Sequence, residues 1–285
     1  MIPQKINKNA VQISAEVISN KKVGPYHHMV FAVGDMAVHC RPGNFVAISV
    51  GGSHSSLILR RAFAIYRAID KGPMGGSIEL VIAPHGEGSK WLCSRIVGDF
   101  IDLIGPLGTA FGIPTTNANT MLIGGGYGSA PLFALAELLK NRGCRVDMVL
   151  GASTANKIYA PLEGKRSVSS LTLTTDDGST GIHGQISEAI PRLIREFGTE
   201  VIYSCGPMGM LGAIAKIADE FDLAHQCAVE EAMACGVGVC MTCVVPIKHE
   251  DGIKMVRTCI DGPVMDGAET VSYTHLRAHE TVLDL

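Results

Sequence analysis

The chain has 285 residues, 47% of them hydrophobic and 18% charged, with a formal net charge of −3 at neutral pH. That is length enough for two domains and a small appendage, with the composition of an ordinary globular protein. No basic block marks a nucleic-acid footprint, and the longest apolar stretch, Met121 to Leu139, is too broken by glycines, Pro131 and Glu137 to span a bilayer.

The first residues, Met1 to Lys8, have no apolar core of the signal-peptide kind, which predicts a cytoplasmic chain. From residue 10 to 112 the pattern is that of strands. Val11–Ser19, His28–Val33, Asn44–Val50, Leu57–Tyr66, Ser77–Ala83 and Asp99–Ile104 are β-rich runs divided by Gly, Pro, Asp and Ser clusters. One short helix is expected at Ser89–Arg95. Six short strands with few helical intervals predict a closed antiparallel barrel. Within it, Arg60-Arg61-Ala62-Phe63-Ala64 sets two guanidinium groups beside a strand, and Arg suits bidentate phosphate contact. A solvated barrel edge would explain them equally well. The turn His85-Gly86-Glu87-Gly88-Ser89 opens the short helix with a hydroxyl at a capping position. Together the two segments suggest a site for a flavin-type dinucleotide.

Gly112–Asn119, rich in Pro, Thr and Asn, is the predicted linker. Residues 118–227 then alternate strand and helix signals: Thr120–Ile123, Leu132–Lys140, Arg145–Gly151, Asn156–Leu162, Val168–Thr175, Gly184–Phe197, Glu200–Ser204, Met208–Phe221 and His225–Val229. This predicts a parallel sheet flanked by helices. Two strand-to-helix turns are glycine-bearing: Gly124-Gly125-Gly126-Tyr127-Gly128-Ser-Ala-Pro131 and Cys205-Gly206-Pro207. Such turns bring backbone N–H groups to a pyrophosphate, and at the carboxyl edge of one sheet two of them can embrace one nicotinamide nucleotide. A glycine-rich turn without a ligand is the plain alternative. Arg142 and Arg145 raise the question of a 2′-phosphate, while Asp176 and Asp177 point toward NAD.

Residues 228–268 form a cysteine module. Cys235-Gly-Val-Gly-Val-Cys240-Met-Thr-Cys243, with Cys259 beyond, has the C-x4-C-x2-C…C spacing of plant-type [2Fe–2S] sites. Gly236 and Gly238 allow backbone N–H groups to turn toward sulfur. Structural zinc usually shows paired short spacings, and disulfides need an oxidising compartment. Cys40, Cys93, Cys144, Cys205 and Cys227 are scattered singly and are expected as small buried hydrophobes. Residues 271–285 fit no element of this design and are expected to be a non-native tail.

The segments Leu59–Ile65, Gly86–Ser89, Gly105–Gly108, Gly124–Leu132, Asp177–Ser179, Cys205–Pro207, Glu230–Cys243 and Cys259–Val264 resemble the ferredoxin-reductase superfamily. Within it they resemble the family of electron-transfer subunits of dihydroorotate dehydrogenase B. The resemblance implies an α+β multi-domain chain: an N-terminal antiparallel β-barrel holding FAD, a central α/β parallel-sheet domain for NAD, and a small C-terminal [2Fe–2S] module. It implies FAD against Arg61, Ala62, Phe63, Ala64, Val81, Ile82, Ala83, Gly88 and Ser89. NAD, as substrate, would lie against Gly124, Gly125, Gly126, Gly128, Cys205, Gly206 and Pro207. The cluster ligands would be Cys235, Cys240, Cys243 and Cys259. The implied partner is a separate FMN-bearing catalytic subunit, two of each in a heterotetramer, with hydride passing between nicotinamide and flavin and single electrons through the cluster in pyrimidine synthesis. The family motif Arg-Pro-x-Ser reads Arg61-Ala62-Phe63-Ala64 here, so the hydroxyl expected near the flavin N5 is replaced by methyl. No catalytic triad or carboxylate pair is expected; His27, His28 and His85 are taken as surface or packing residues. A subunit of a sulfide dehydrogenase or of an NADH-dependent ferredoxin:NADP oxidoreductase shares these motifs, and a zinc-stabilised interaction protein is the non-catalytic alternative.

Overall fold

The computed structural model describes residues 9–52, 55–72, 75–249 and 252–270; the tail expected at 271–285 lies outside them. Inward-facing apolar residues close the first six strands on themselves. Strands β1 (Val11–Val23), β2 (Tyr26–Ala32), β3 (Phe45–Ile48), β4 (Arg61–Ile69), β5 (Ser77–Ile82) and β6 (Phe100–Leu107) form a closed barrel in the order β1-β2-β5-β4-β3-β6. Every neighbouring pair is antiparallel. Met29, Phe31, Val46, Ile48, Ile78, Leu80 and Leu103 fill the interior, and Leu92 of helix α1 (Glu87–Cys93) closes one end. The fourth strand starts later than the expected Leu57. Its ladder with β3 begins at the Ile48–Arg61 pair, and Ile58 and Leu59 project into solvent with no strand opposite.

The next segment runs β7 (Asn119–Gly125), α2 (Ala130–Asn141), β8 (Arg145–Ala152), α3 (Pro161–Ser167), β9 (Ser170–Thr175), β10 (Ile182–His183), α4 (Ile186–Phe197), β11 (Val201–Cys205), α5 (Met208–Glu220) and β12 (Ala224–Ala228). These six strands are parallel, in the order β10-β9-β8-β7-β11-β12. Strand β7 is buried on both faces, as a central parallel strand must be. Met121 and Ile123 pack with residues of α4 and α5, while Leu122 packs with α2. The helix expected over Asn156–Leu162 is displaced: a 3-10 turn covers Ala155–Lys157 and the helix begins at Pro161. Proline's fixed φ suits a first helical position and not an interior one.

The cysteine module contributes a hairpin, β13 (Val244–His249) and β14 (Gly252–Arg257), then β15 (Val264–Asp266) and α6 (Gly267–Thr270). Strand β15 pairs antiparallel with β12 and becomes the seventh strand of the central sheet. The module is thereby sewn to both upstream units. Thr109 donates from N to Gly262 O (2.6 Å) and from Oγ1 to Val264 O (3.0 Å), and Val229 N donates to Pro263 O (2.9 Å).

Barrel and sheet meet through buried aromatic rings and one polar knot. Tyr66 stands 5.5 Å from Phe133 and 5.6 Å from Tyr159, ring centre to ring centre. Its hydroxyl donates to Glu163 (2.5 Å), whose same oxygen receives Arg67 Nη2 (2.7 Å). Arg67 Nη2 also reaches Glu137 (2.6 Å) on α2.

Candidate functional site

The carboxyl ends of β7, β8, β9 and β11 face the barrel residues Ala83–His85 across a cleft of about 840 Å³. Gly125, Gly126, Gly128, Gly206 and Pro207 line it; Gly124 and Cys205 lie in the wall behind. The two loops need glycine first because they press on each other. A Cβ at Gly128 would fall 2.9 Å from Gly206 Cα, and one at Gly125 would fall 2.7 Å from Pro207 Cδ. Cys205 is half-buried, and burial, with Glu230 next in effect, pushes its thiol up to about 12.

Tyr26 and Lys157 line the cleft from outside any motif, and Tyr127 and His85 from within the Gly124–Gly128 and His85–Ser89 turns. Tyr127 stands with its ring centre 5.8 Å from Tyr26 and 5.7 Å from His85. Its hydroxyl is hydrogen-bonded to Glu230, the first residues of the cysteine module reaching back to the cleft. Thus His85 borders the cleft, while His28 pairs with Glu79 (2.8 Å) and His27 with Asn20 (2.8 Å). Asp176 also lines the cleft, and so does Lys157, whose backbone O accepts from the Tyr26 hydroxyl (2.8 Å). Arg142 and Arg145 lie far from it, at the amino edge of the sheet. Arg142 caps α2, and Arg145 opens β8 paired with buried Asp147 (2.9 Å) and set over Phe197.

The suspected flavin segments also come together. The β4–β5 ladder stops at the Ile65–Leu80 pair, so Arg61–Ala64 on one strand and Val81–Ile82 on the other diverge. Arg61 reaches across toward the third segment: a Cβ on buried Gly88 would lie 3.1 Å from its Nε. Ser89 Oγ is committed to the loop itself, accepting from Gly86 N and donating to Gly86 O, both at 3.1 Å. Arg60 is taken by Asp102 (2.6 Å), so Arg61 is the guanidinium that faces this notch.

The four cysteines form two pairs. Cys235 Sγ accepts from the N–H groups of Val237 (3.4 Å), Val239 (3.3 Å) and Cys240 (3.5 Å). Gly236 and Gly238, at φ +71° and +80°, turn those groups inward. Cys240 is held down at about 6 by the hydroxyl and N–H of Thr242 and by Cys235. Cys243 and Cys259 are buried free thiols hydrogen-bonded to each other, and burial pushes Cys259 up to about 12. Among the described residues no three His, Cys, Asp or Glu side chains converge on one ion position. Two thiol pairs under a lid of N–H donors fit a binuclear iron–sulfur group better than a single zinc.

The cysteine loop rests on the outer face of the barrel. Cys243 and Cys259 pack with Phe45, Ala47 and Leu107, and a Cβ at Gly236 would stand 3.2 Å from Ala47 Cβ. Ala47 is paired directly with Ala62, and Phe45 with Ala64. Directly opposed residues share a face. The cysteine loop is therefore one strand spacing, about 5 Å, from the Arg61–Ala64 segment.

Residues 230–271 match the model of the iron-sulfur cluster binding domain of dihydroorotate dehydrogenase B. Along nearly the whole chain there is similarity to "Dihydroorotate dehydrogenase B (NAD(+)), electron transfer subunit" of Desulforamulus reducens, 32% identical over 258 residues, covering 90% of this chain and 97% of that protein. The protein of the same name from Geobacillus kaustophilus is 35% identical over 234 residues, covering 81% and 87%. Among solved structures, the NADH-dependent reduced ferredoxin-NADP oxidoreductase superposes with a TM-score of 0.79 at 27% identity, covering 95% of this chain and 94% of that one. A ferredoxin reductase of carbazole 1,9a-dioxygenase shares the fold of the first two units, with a TM-score of 0.62 at 22% identity over 75% and 67% of the two chains. By identity above 30% along most of its length, and by the matched cluster domain, the chain belongs to the family of dihydroorotate dehydrogenase B electron transfer subunits.

Proposed function

We propose that this chain carries electrons between a dihydroorotate-oxidising partner subunit and NAD+, in pyrimidine synthesis. The observation that carries the reading is one of placement. The paired thiols back onto the barrel face one strand away from the Arg61–Ala64 notch, and the nicotinamide-sized cleft opens against the same barrel at Ala83–His85. The division of labour follows the chain: residues 10–112 for FAD, 118–227 for NAD, and 228–268 for the cluster.

When bound, an iron–sulfur group would pass electrons one at a time and a flavin would collect two of them and give up a hydride to NAD+. The residues of this chain do the positioning. Arg61 neutralises phosphate beside Gly88, and Val81–Ala83 offer backbone left unpaired on the β4 side, where the strands diverge. Ala62 and Ala64 put methyl groups where the family motif has proline and a hydroxyl. Gly124–Gly126 and Gly128, with Cys205–Pro207, set a nucleotide's backbone against two loop edges. Tyr26 and Tyr127 keep water from the barrel end of the cleft. Cys235, Cys240, Cys243 and Cys259 hold the cluster, with the N–H groups of Val237, Val239 and Cys240 balancing charge on Cys235. The partner is an FMN-bearing catalytic subunit, two of each per assembly, in the cytoplasm; no helix among the described residues is long and apolar enough to cross a membrane.

Coexpression with that partner tests the reading. The purified complex should show flavin and [2Fe–2S] absorbance and reduce NAD+ with dihydroorotate, at the mass of a heterotetramer. A second reading, a subunit of an NADH-dependent ferredoxin:NADP oxidoreductase, draws on the solved structure described above. A complex that reduces ferredoxin and leaves dihydroorotate untouched would decide for it.

A further inference from the structure

We infer that Tyr26 is a positioning residue whose hydroxyl, bonded to the backbone of the sheet unit, fixes the gap between the flavin-bearing barrel and the nicotinamide. The inference rests on the FAD and NAD readings of the two units and deepens them.

Barrel and sheet touch along a continuous row of rings. His28, Tyr66, Tyr159, Tyr26, Tyr127 and His85 follow one another with ring centres 5.6, 5.6, 6.2, 5.8 and 5.7 Å apart. From Tyr66 onward the two units contribute rings in turn. One end of the row is tied by the knot on Glu163. The other end opens into the cleft, which Tyr26, Tyr127 and His85 line. Ring pairs are attractive over roughly 4.5–7 Å, so rings alone hold the two units loosely. A row tied only at the knot is free to hinge there and to widen the cleft.

Tyr26 supplies the second tie. It is the first residue of β2, its ring is buried, and its hydroxyl donates to Lys157 O at 2.8 Å. A hydrogen bond is far steeper in distance and angle than a ring contact. Among the described residues it is the one hydrogen bond that runs to the sheet unit from the barrel's share of the lining, Pro25, Tyr26 and Ala83–His85. The acceptor is braced. Lys157 ends the 3-10 turn Ala155–Lys157, its N–H donates to Thr154 O (3.0 Å), and its ammonium donates to Ser153 Oγ (3.0 Å). The turn that leads into Tyr26 closes on the same loop: a Cβ on Gly24, at φ +58°, would stand 3.3 Å from Asn156 O. Burial also raises the phenol above its ordinary pKa, so the hydroxyl keeps the proton it donates.

The reaction is sensitive to this spacing. Two electrons and one proton pass together as hydride from reduced flavin to NAD+, with no third reactant, between rings carried by different units. A misplacement of about 1 Å in such a pair costs up to about a hundredfold in rate.

The test uses the FAD- and cluster-loaded complex with its partner subunit, and Tyr26→Phe, which keeps the ring and removes the one bond. ADP-ribose, which fills the glycine loops without a nicotinamide, should bind the variant as it binds wild type in calorimetry. Wild type mixed rapidly with NADH should show a long-wavelength charge-transfer absorbance, the sign of nicotinamide stacked on flavin, before the flavin bleaches. In Tyr26→Phe that absorbance should weaken, and bleaching at saturating NADH should slow by roughly tenfold. Gly24→Ala, which pushes the same turn off Asn156 O, should act in the same direction. Tyr66→Phe, at the end of the row that Arg67 still ties, should lower the melting temperature and leave the charge-transfer absorbance in place. Absorbance and bleaching unmoved in both Tyr26→Phe and Gly24→Ala overturn the inference. So does a loss of ADP-ribose affinity as large as the loss for NADH, which would make Tyr26 a support of the whole dinucleotide site. If wild type binds flavin but no ADP-ribose at millimolar concentration, the NAD reading of the cleft falls, and the inference with it.

Discussion

Single residues set the limits of this design, and His225 shows how. It is buried in β12 at 4% exposure, its Nε2 is 2.7 Å from Ser204 Oγ, and its Nδ1 has no hydrogen-bond partner among the described residues. A Cβ on Gly267 would fall 1.9 Å from that Nδ1, so the start of α6 closes over the ring only because residue 267 is glycine. Burial lowers the His225 pKa to about 4. The unfolded chain takes up a proton near the ordinary value of about 6.5, while the folded chain resists until about 4. Stability is therefore complete above the unfolded value and falls as pH drops between the two, by about 3 kcal/mol at most. Denaturant titrations from pH 7.5 to 4.5 should show a steeper loss in wild type than in His225→Asn; parallel curves would remove His225 as the cause. In the cysteine loop, Gly238 lies at φ +80° with Ile260 2.8 Å from a would-be Cβ. Gly238→Ala should cost about 1–3 kcal/mol and lower cluster content as read from visible absorbance and iron per chain. Cys243→Ser should abolish the cluster signal while flavin stays bound, because Cys243 packs on Phe45, Ala47 and Leu107, with β3 between it and the Arg61–Gly88 contact.

At the scale of elements, β4 joins the two nucleotide-bearing units. Its first residues pair with β3 beside the flavin notch, and its end carries Tyr66 and Arg67 into α2 and α3. Both donors use one oxygen of Glu163. Removing either leaves the half-exposed Glu163 carboxylate with one donor fewer, so Tyr66→Phe and Arg67→Met should each cost about 1 kcal/mol. The double variant should cost less than the sum, because the two share a partner. Additive losses in urea titration would mean that the two residues act independently. The strands and helices of the barrel and of most of the central sheet were legible in the sequence, since period and punctuation act locally, whereas the short β10 and the module's β13, β14, β15 and α6 were not. Where an edge went astray, long-range pairing had decided it: β4 starts at Arg61 because β3 is only four residues long.

At the scale of the whole molecule, the cysteine module is structural as well as a candidate relay. Strand β15 covers the free edge of β12, and Val245, Ile247, Val256 and Met265 pack with Leu211 of α5, Cys227 of β12 and Val229 just beyond it. A chain ended after Val229 would expose that apolar surface and an unpaired parallel edge. It should melt well below the full chain or aggregate, as followed by light scattering during a thermal ramp. An unchanged melting temperature would show the module to be a mere appendage.

The sequence by itself determined the chemistry. The C-x4-C-x2-C spacing, the two glycine turns, the Arg61 segment and the order barrel, sheet, cluster are local patterns, and local patterns suffice to state which groups the chain is built to hold. Tertiary structure alone decided how those patterns meet. Nothing in the residue order says that β15 returns to β12, that Glu230 reaches Tyr127, or that Ala47 and Phe45 carry the cysteine loop on one side and pair with Ala62 and Ala64 on the other. Nor does it say which of two adjacent aspartates faces the cleft. These are contacts between residues far apart in the chain, or choices of side-chain direction at a strand end. They follow from burying one face of each element against another, a condition that the whole fold imposes and no local stretch encodes.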